Sequence, residues 1–184
     1  CMLYAGRHSE RVAGFVAVDS APELDRRGTL RIQMDTAEKM DPSFESVHEY
    51  ESALSLAYPA ARPSAIKHMA QHGLKVREDG RFALKMDPAL RGATAGRLDP
   101  EAMKKRSERL TALLWSCLEK LRCPTLVVRG AASDVMSPEV ADRMVDEVIP
   151  DARLAVIPQA GHSVMIDNPD AFRDAVSAFV LGDA

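Results

Sequence analysis

The sequence predicts an α/β fold: a parallel sheet of three strands with covering helices, interrupted after its first strand by a mostly helical insertion. Three observations carry this expectation. Val12 to Val18, Thr125 to Val128 and Arg153 to Ile157 are short runs rich in Val, Ile and Leu, the pattern of strands buried on both faces. Each of the last two is followed by a loop and then a helix that opens on a cap residue and a proline. Strand, loop, helix, repeated, is the order of a parallel sheet. Between the first two runs, from about Pro22 to Leu121, no segment reads as a further strand of that sheet.

The elements follow in chain order. Cys1-Met2-Leu3-Tyr4-Ala5 reads as the middle of a helix with no cap before it, so the chain is expected to be a fragment of a longer one. The first strand ends at Asp19. Within the insertion, helices are expected at Phe44 to Ala57 and at Ser64 to Gln71, with Gly73 as C-cap. Asp79-Gly80 lies between Leu74-Lys75-Val76 and Phe82-Ala83-Leu84, a hairpin signal. Asp99-Pro100-Glu101 starts a longer helix towards Leu118. Its basic run (Lys104, Lys105, Arg106, Arg109) reads as a solvated face. Met40, Phe44, Leu54, Tyr58 and Met69 are expected to form mostly the insertion's own core.

After the second strand, Ser137-Pro138-Glu139 supplies a hydroxyl cap, a proline at N1 and a carboxylate in the first turn; Asn168-Pro169-Asp170 repeats the device. Phe172, Val176, Phe179 and Val180 then form an apolar stripe, with Gly182 beyond the helix end. The expected organisation is core at 1–21, insertion and return helix at 22–121, and core again at 122–184.

Bulk composition narrows the partners. A formal net charge of −3 over 184 residues recruits neither nucleic acid nor an acidic membrane surface, and the apolar runs are too short to span a bilayer. The start lacks the basic and apolar regions of a secretion leader, and the cysteine usage makes the cytoplasm the default expectation. Three cysteines (Cys1, Cys117, Cys123), with no C-x-x-C and no histidine cluster, argue against a disulfide framework and a zinc site. Cys117 and Cys123 read as small apolar residues. Neither metal nor cofactor is expected.

Two loops concentrate the chemistry. Thr125 to Gly130 is followed by Ala131-Ala132-Ser133-Asp134, which stands a carboxylate at the C-terminal edge of the sheet, where parallel folds collect their catalytic groups. Leu154 to Ile157 is followed by Pro158-Gln159-Ala160-Gly161-His162. Neighbouring parallel strands would set these loops side by side, so Asp134 could accept a hydrogen bond from the His162 ring and fix its tautomer. Alone, each has a plainer reading, as a turn-forming Asp and a satisfied His. Asp19, at the end of the first strand, is a second candidate acid, or a carboxylate that merely stabilises its loop. Neither Asp134 nor His162 is a nucleophile. No G-x-S-x-G occurs, and Ser9, Ser20 and Ser133 stand in the wrong contexts to replace it. Cys1 could imitate an N-terminal nucleophile, but that chemistry belongs to a layered antiparallel sheet that this sequence does not show.

The run P-T-L-V-V-R-G-x-x-S-D-x-x-S-P-E from Pro124, with A-R-L-x-x-I-P-x-A-G-H-x-x-x-x-D-N-P-x-x-F from Ala152, closely resembles the last two strand–helix units of α/β-hydrolases. Tyr4 to Asp19 resembles the end of the helix that follows their nucleophile and the next strand. The insertion occupies the place of their cap domain. The resemblance implies the C-terminal part of an α/β-hydrolase sheet, with Asp134 as triad acid and His162 as general base. Some relatives resemble an arrangement with the acid at Asp19. It further implies a nucleophile elbow and oxyanion amides before Cys1, in a missing N-terminal half that would be this chain's partner.

The implied reaction is hydrolysis of a small apolar ester or related small-molecule substrate, with Val135, Met136 and Val164 as pocket wall. An upstream aspartate would instead imply an epoxide or haloalkane hydrolase, and a ligand-binding member without turnover is a third possibility. Without the preceding strand, Val12 to Val18 is expected to be an aggregation-prone open edge, and the isolated segment to be inactive.

Overall fold

The computed structural model describes residues 1–37, 42–87 and 99–182. The chain divides into two compact units, Cys1–Thr29 with Leu98–Ala184, and Leu30–Arg97.

The first unit is built on a parallel sheet of β1 (Phe15–Val18), β5 (Thr125–Gly130) and β6 (Ala152–Ile157), in the order β1-β5-β6. Phe15 is in register with Thr125, and Thr125 with Ala152. β5 is therefore the middle strand, and all six of its residues are buried. Its side chains alternate between faces. Val127 joins Phe15, Ala17, Trp115, Leu118, Leu121, Met136 and Met144 in one cluster. Leu126 and Val128 join Ile157, Ala160 and Val164 in another. β1 is shorter than the expected 12–18, because Ser9–Arg11 forms a single 3₁₀ turn that Val12 caps. Its edge away from β5 pairs with no strand among the described residues.

Helices cover both faces. α1 (Met2–Arg7) packs on α5 (Pro100–Leu118). Asp99 caps α5 by accepting the amides of Glu101 and Ala102. α5 sends Trp115 and Leu118 into the sheet's own core and belongs to this unit. The basic run of α5 is exposed.

Ser137 accepts the Val140 amide to cap α6 (Pro138–Asp142), and Arg143–Val148 continues as a π-turn. One short turn, α7 (Val164–Asp167), precedes α8 (Pro169–Leu181), which Asn168 caps through the Ala171 amide and Gly182 ends at φ 78°. Phe172, Val176 and Phe179 pack on the second cluster, but Val180 is 64% exposed and lies off the stripe expected to include it. Cys117 and Cys123 are buried and unpaired; Cys1 is exposed.

A helix not anticipated from sequence, α2 (Arg26–Ala37), follows the first strand, with Gly28 in its first turn. The second unit contains β2 (Ser43–Phe44), α3 (Val47–Ala57), α4 (Pro63–Gly73), β3 (Leu74–Val76) and β4 (Phe82–Leu84). Phe44 pairs with Phe82 instead of starting α3, because Ser46 caps that helix by accepting the Glu49 amide. Gly73 is the last residue of α4, with Leu74 in the cap position. The hairpin of β3 and β4 turns at Gly80, φ 79°, a left-handed conformation that suits glycine. Leu54, Ile66 and Ala70 centre this unit's core, with Tyr58 and Met69 packed against it; Met40 lies outside the described residues.

Candidate active site

The three parallel strands end at one rim, and the polar groups of the first unit converge there. β1 delivers Asp19. Its amide still belongs to the ladder, donating to the Val128 carbonyl at 2.7 Å, but its backbone turns to φ 43°. That left-handed conformation is uncommon for a residue with a side chain and is tolerated best by Asp and Asn. The turn swings the carboxylate inward over the end of β5, where it has no accessible surface.

A buried carboxylate needs donors. Asp19 Oδ1 accepts the Gly130 amide at 3.0 Å. Asp19 Oδ2 accepts the Ser133 hydroxyl at 2.6 Å and faces His162 Nδ1 at 2.9 Å. The imidazole is 37% exposed, so its far side reaches solvent while its near side is held. As a carboxylate, Asp19 can only accept. Nδ1 is then the donor in this contact.

His162 comes from the loop after β6, two strands from β1, and neighbouring strands are about 4.8 Å apart. The loop must therefore pass over the end of β5. Gly130, the last residue of β5, makes this possible: a Cβ there would overlap the Gly161 carbonyl. The Ala132 amide donates to the Ala160 carbonyl at 2.9 Å, which stitches the two loops together. From the other side, Asp167 accepts the Gly161 amide at 2.8 Å and Asn168 donates to the Pro158 carbonyl at 2.9 Å. Gln159, at φ 54°, makes the tight turn that presents Gly161-His162.

The hydrogen bond to the imidazole that was expected of Asp134 is made by Asp19. The Arg129 guanidinium, 7% exposed, gathers the carbonyls of Met136 at 2.8 Å, Ala131 at 3.3 Å and Ser133 at 3.4 Å around itself. The Asp134 carbonyl accepts the Gly28 amide at 3.1 Å. Its carboxylate adds to the attraction felt by Arg27, whose guanidinium is held above its usual range chiefly by a hydrogen bond to Asp25.

Val135, Met136 and Val164, expected as pocket wall, have 2%, 0% and 0% of their surface exposed. Met136 fills one core cluster and Val164 the other, so their apolar surface holds the loops down. The residues that sequence reasoning underweighted are Asp19, Gly130 and Ser133. Two signals for them were present: an Asp directly after a buried strand, and glycines at the ends of two loops that must touch.

A family model, the alpha/beta hydrolase family, matches residues 2–175. Over 86 residues the chain is 35% identical to RutD of a Caulobacter species, provisionally named a carbamate hydrolase; the match covers 46% of this chain and 32% of that protein. A 63-residue stretch is 48% identical to the polyketide synthase ThaQ of Burkholderia thailandensis, covering 34% of this chain and 3% of that protein. The crystal structure of E-2-(acetamidomethylene)succinate hydrolase superposes on all of this chain with a TM-score of 0.77, at 23% identity, over 62% of its own length, a likeness of fold. The chain thus spans less than two thirds of the relatives it matches. With the strand order, the rim and 174 of 184 positions inside one family model, the chain belongs to the alpha/beta hydrolase family.

Proposed function

We propose that His162 and Asp19 are the base and acid of a nucleophile–histidine–acid triad that hydrolyses a carboxylic ester or a related acyl compound. The observation that carries this reading is the 2.9 Å contact between His162 Nδ1 and Asp19 Oδ2, made by an inaccessible carboxylate that has two further donors. A carboxylate so held keeps its charge oriented at Nδ1 and stabilises the imidazolium that forms when Nε2 takes a proton.

No residue among the 184 is offered as nucleophile; in this reading it precedes Cys1, together with the amides that stabilise the oxyanion. The nucleophile's oxygen bonds to the carbonyl carbon as its proton passes to Nε2. The leaving alkoxide then departs with that proton, and water repeats the sequence to release the acid. An ester, a thioester and a carbamate offer the same kind of carbonyl to this machinery, and the name of the Caulobacter relative is consistent with that class.

The test uses the full-length protein and an aryl acetate such as p-nitrophenyl acetate. His162→Ala and Asp19→Asn are each expected to lower kcat/KM by about a thousandfold or more, while Asp134→Asn stays within about threefold of the parent. Asn tolerates the left-handed backbone at position 19, so that variant removes charge without disturbing the turn. Near-parental turnover by Asp19→Asn, with collapse in Asp134→Asn, would return the acid to position 134.

A further inference from the structure

We infer that Ser133 is a positioning residue for the His162–Asp19 pair, a role that rests on the triad reading above. A serine hydroxyl has one proton and two acceptor sites. At Ser133 both acceptor sites are taken: the amides of Val135 and Met136 donate to Oγ at 3.1 and 3.2 Å. The proton is left to point at Asp19 Oδ2, 2.6 Å away. The hydroxyl cannot turn to accept from the imidazole or to face solvent without breaking those bonds, so it is an obligate donor to the acid.

Its frame is fixed as well. The Ser133 amide donates to the Gly130 carbonyl at 3.0 Å, closing a turn directly on the end of β5. The Ser133 carbonyl is one of the three gathered by the buried Arg129 guanidinium. The loop after β5 therefore acts on the acid from outside. Gly130 holds one carboxylate oxygen through its amide, and Ser133 holds the other, the same oxygen that meets His162 Nδ1. Two donors on Oδ2 and one on Oδ1 leave the carboxylate a single rotation, the one that directs Oδ2 at the ring.

Charge-assisted O–H···O⁻ bonds of this length are among the stronger ones a side chain makes, and losing one that orients a reacting pair is felt in turnover more than in substrate binding. Ser133→Ala removes the donor. Ser133→Cys nearly preserves volume but offers only a weak donor, which guards against loss of packing as the cause.

The experiment is proton NMR of the full-length protein with ¹⁵N-labelled histidine, alongside p-nitrophenyl acetate kinetics. In the parent protein the Nδ1 proton of His162 is expected as a downfield, slowly exchanging resonance, absent from His162→Ala and lost in Asp19→Asn. Both Ser133 variants are expected to broaden or shift that resonance and to lower kcat about tenfold, with KM within about twofold.

Ser133 variants that melt at lower temperature yet keep the resonance and kcat would overturn the proposal and leave Ser133 a loop brace only. A resonance that persists unchanged in Asp19→Asn would instead sink the pairing of His162 with Asp19, whatever Ser133 does.

Discussion

The loops after β1 and β5 leave the sheet at the same rim, each follows a buried strand, and each carries an aspartate. After β1 the chain turns within one residue, through the left-handed conformation of Asp19, and the carboxylate folds back over the sheet into full burial. After β5 the chain runs on through Ala131, Ala132 and Ser133 before it reaches Asp134, and by then it is wrapped around Arg129 and tied to Gly28. The first loop offers its side chain and lets its neighbours supply donors. The second offers its amides, its hydroxyl and an empty Cα at Gly130. A carboxylate's usefulness at a rim is set by the backbone that aims it and by the donors waiting for it, more than by the adjacency of its strand.

The largest effect that can break this comparison comes from the space at Gly130. Alanine there would collide with the carbonyls of Gly161 and Ala160, which are backbone atoms and cannot swing aside as a flexible side chain could. The histidine loop would have to lift. Overpacking of this kind typically costs about 1–3 kcal/mol, and a displacement of about 1 Å at a reacting group can cost about a hundredfold in rate. Gly130→Ala is thus expected to lower both Tm and kcat, and to weaken the Nδ1–H resonance of His162. A normal rate with a normal resonance would mean that the loop reaches Asp19 by some means other than passing over the end of β5.

A smaller effect sharpens the same point from the opposite side. Asp167 holds the Gly161 amide at 2.8 Å. Asp167→Ala leaves that amide without its charged acceptor, a loss of about 1–2 kcal/mol for a partly buried bond. We expect a lower Tm and a kcat reduced about tenfold, readable by thermal melting and by aryl-ester kinetics. An unchanged rate would show that Gly130 and Ala132 suffice to seat the loop.

How much of this could be read in the sequence follows from the same physics. Residues whose job is local were legible: Ser137, Asn168 and Asp99 cap the helices they precede, and Asp79-Gly80 turns the hairpin it divides. The burial of β5 was legible because the apolar run Leu126-Val127-Val128 has no alternation, the mark of a strand covered on both faces. His162 was legible as a histidine presented directly after a glycine in the loop that follows a buried strand.

Which of the two aspartates meets the imidazole was not legible. It depends on strand order, on the φ of one residue and on the direction in which Arg129 pulls a loop, none of which leaves a periodic trace. α2 was missed for a related reason: Gly28 weakens the local helix signal, yet it is required there, because a Cβ would overlap the Asp134 carbonyl. Phe44 was drawn into a helix because its apolar spacing fits either element, and the Ser46 cap decided against it.

The smallest expected effect concerns what holds the Asp134 loop in place. Its backbone meets the start of α2 through the Asp25 amide on the Val135 carbonyl and the Gly28 amide on the Asp134 carbonyl. That start is fixed by Asp25, whose carboxylate accepts the Arg27 amide at 2.8 Å and the guanidinium at 3.1 Å. The Arg27 side-chain bond, then its backbone bond, hold the Asp25 carboxyl below the usual range. A carboxyl whose folded value is depressed stabilises the fold above its unfolded value and loses that contribution as pH falls through the folded one. Because the Arg27 side chain is 86% exposed, water and salt screen the pair and the contribution is small. Asp25→Asn keeps an oxygen to accept the Arg27 amide and removes only the charge. Its Tm should fall slightly below the parent's at neutral pH, and the gap should close as the pH drops below the ordinary carboxylate range. A gap of constant size down to strong acid would mean that the charge contributes nothing and that the backbone bonds alone anchor the loop.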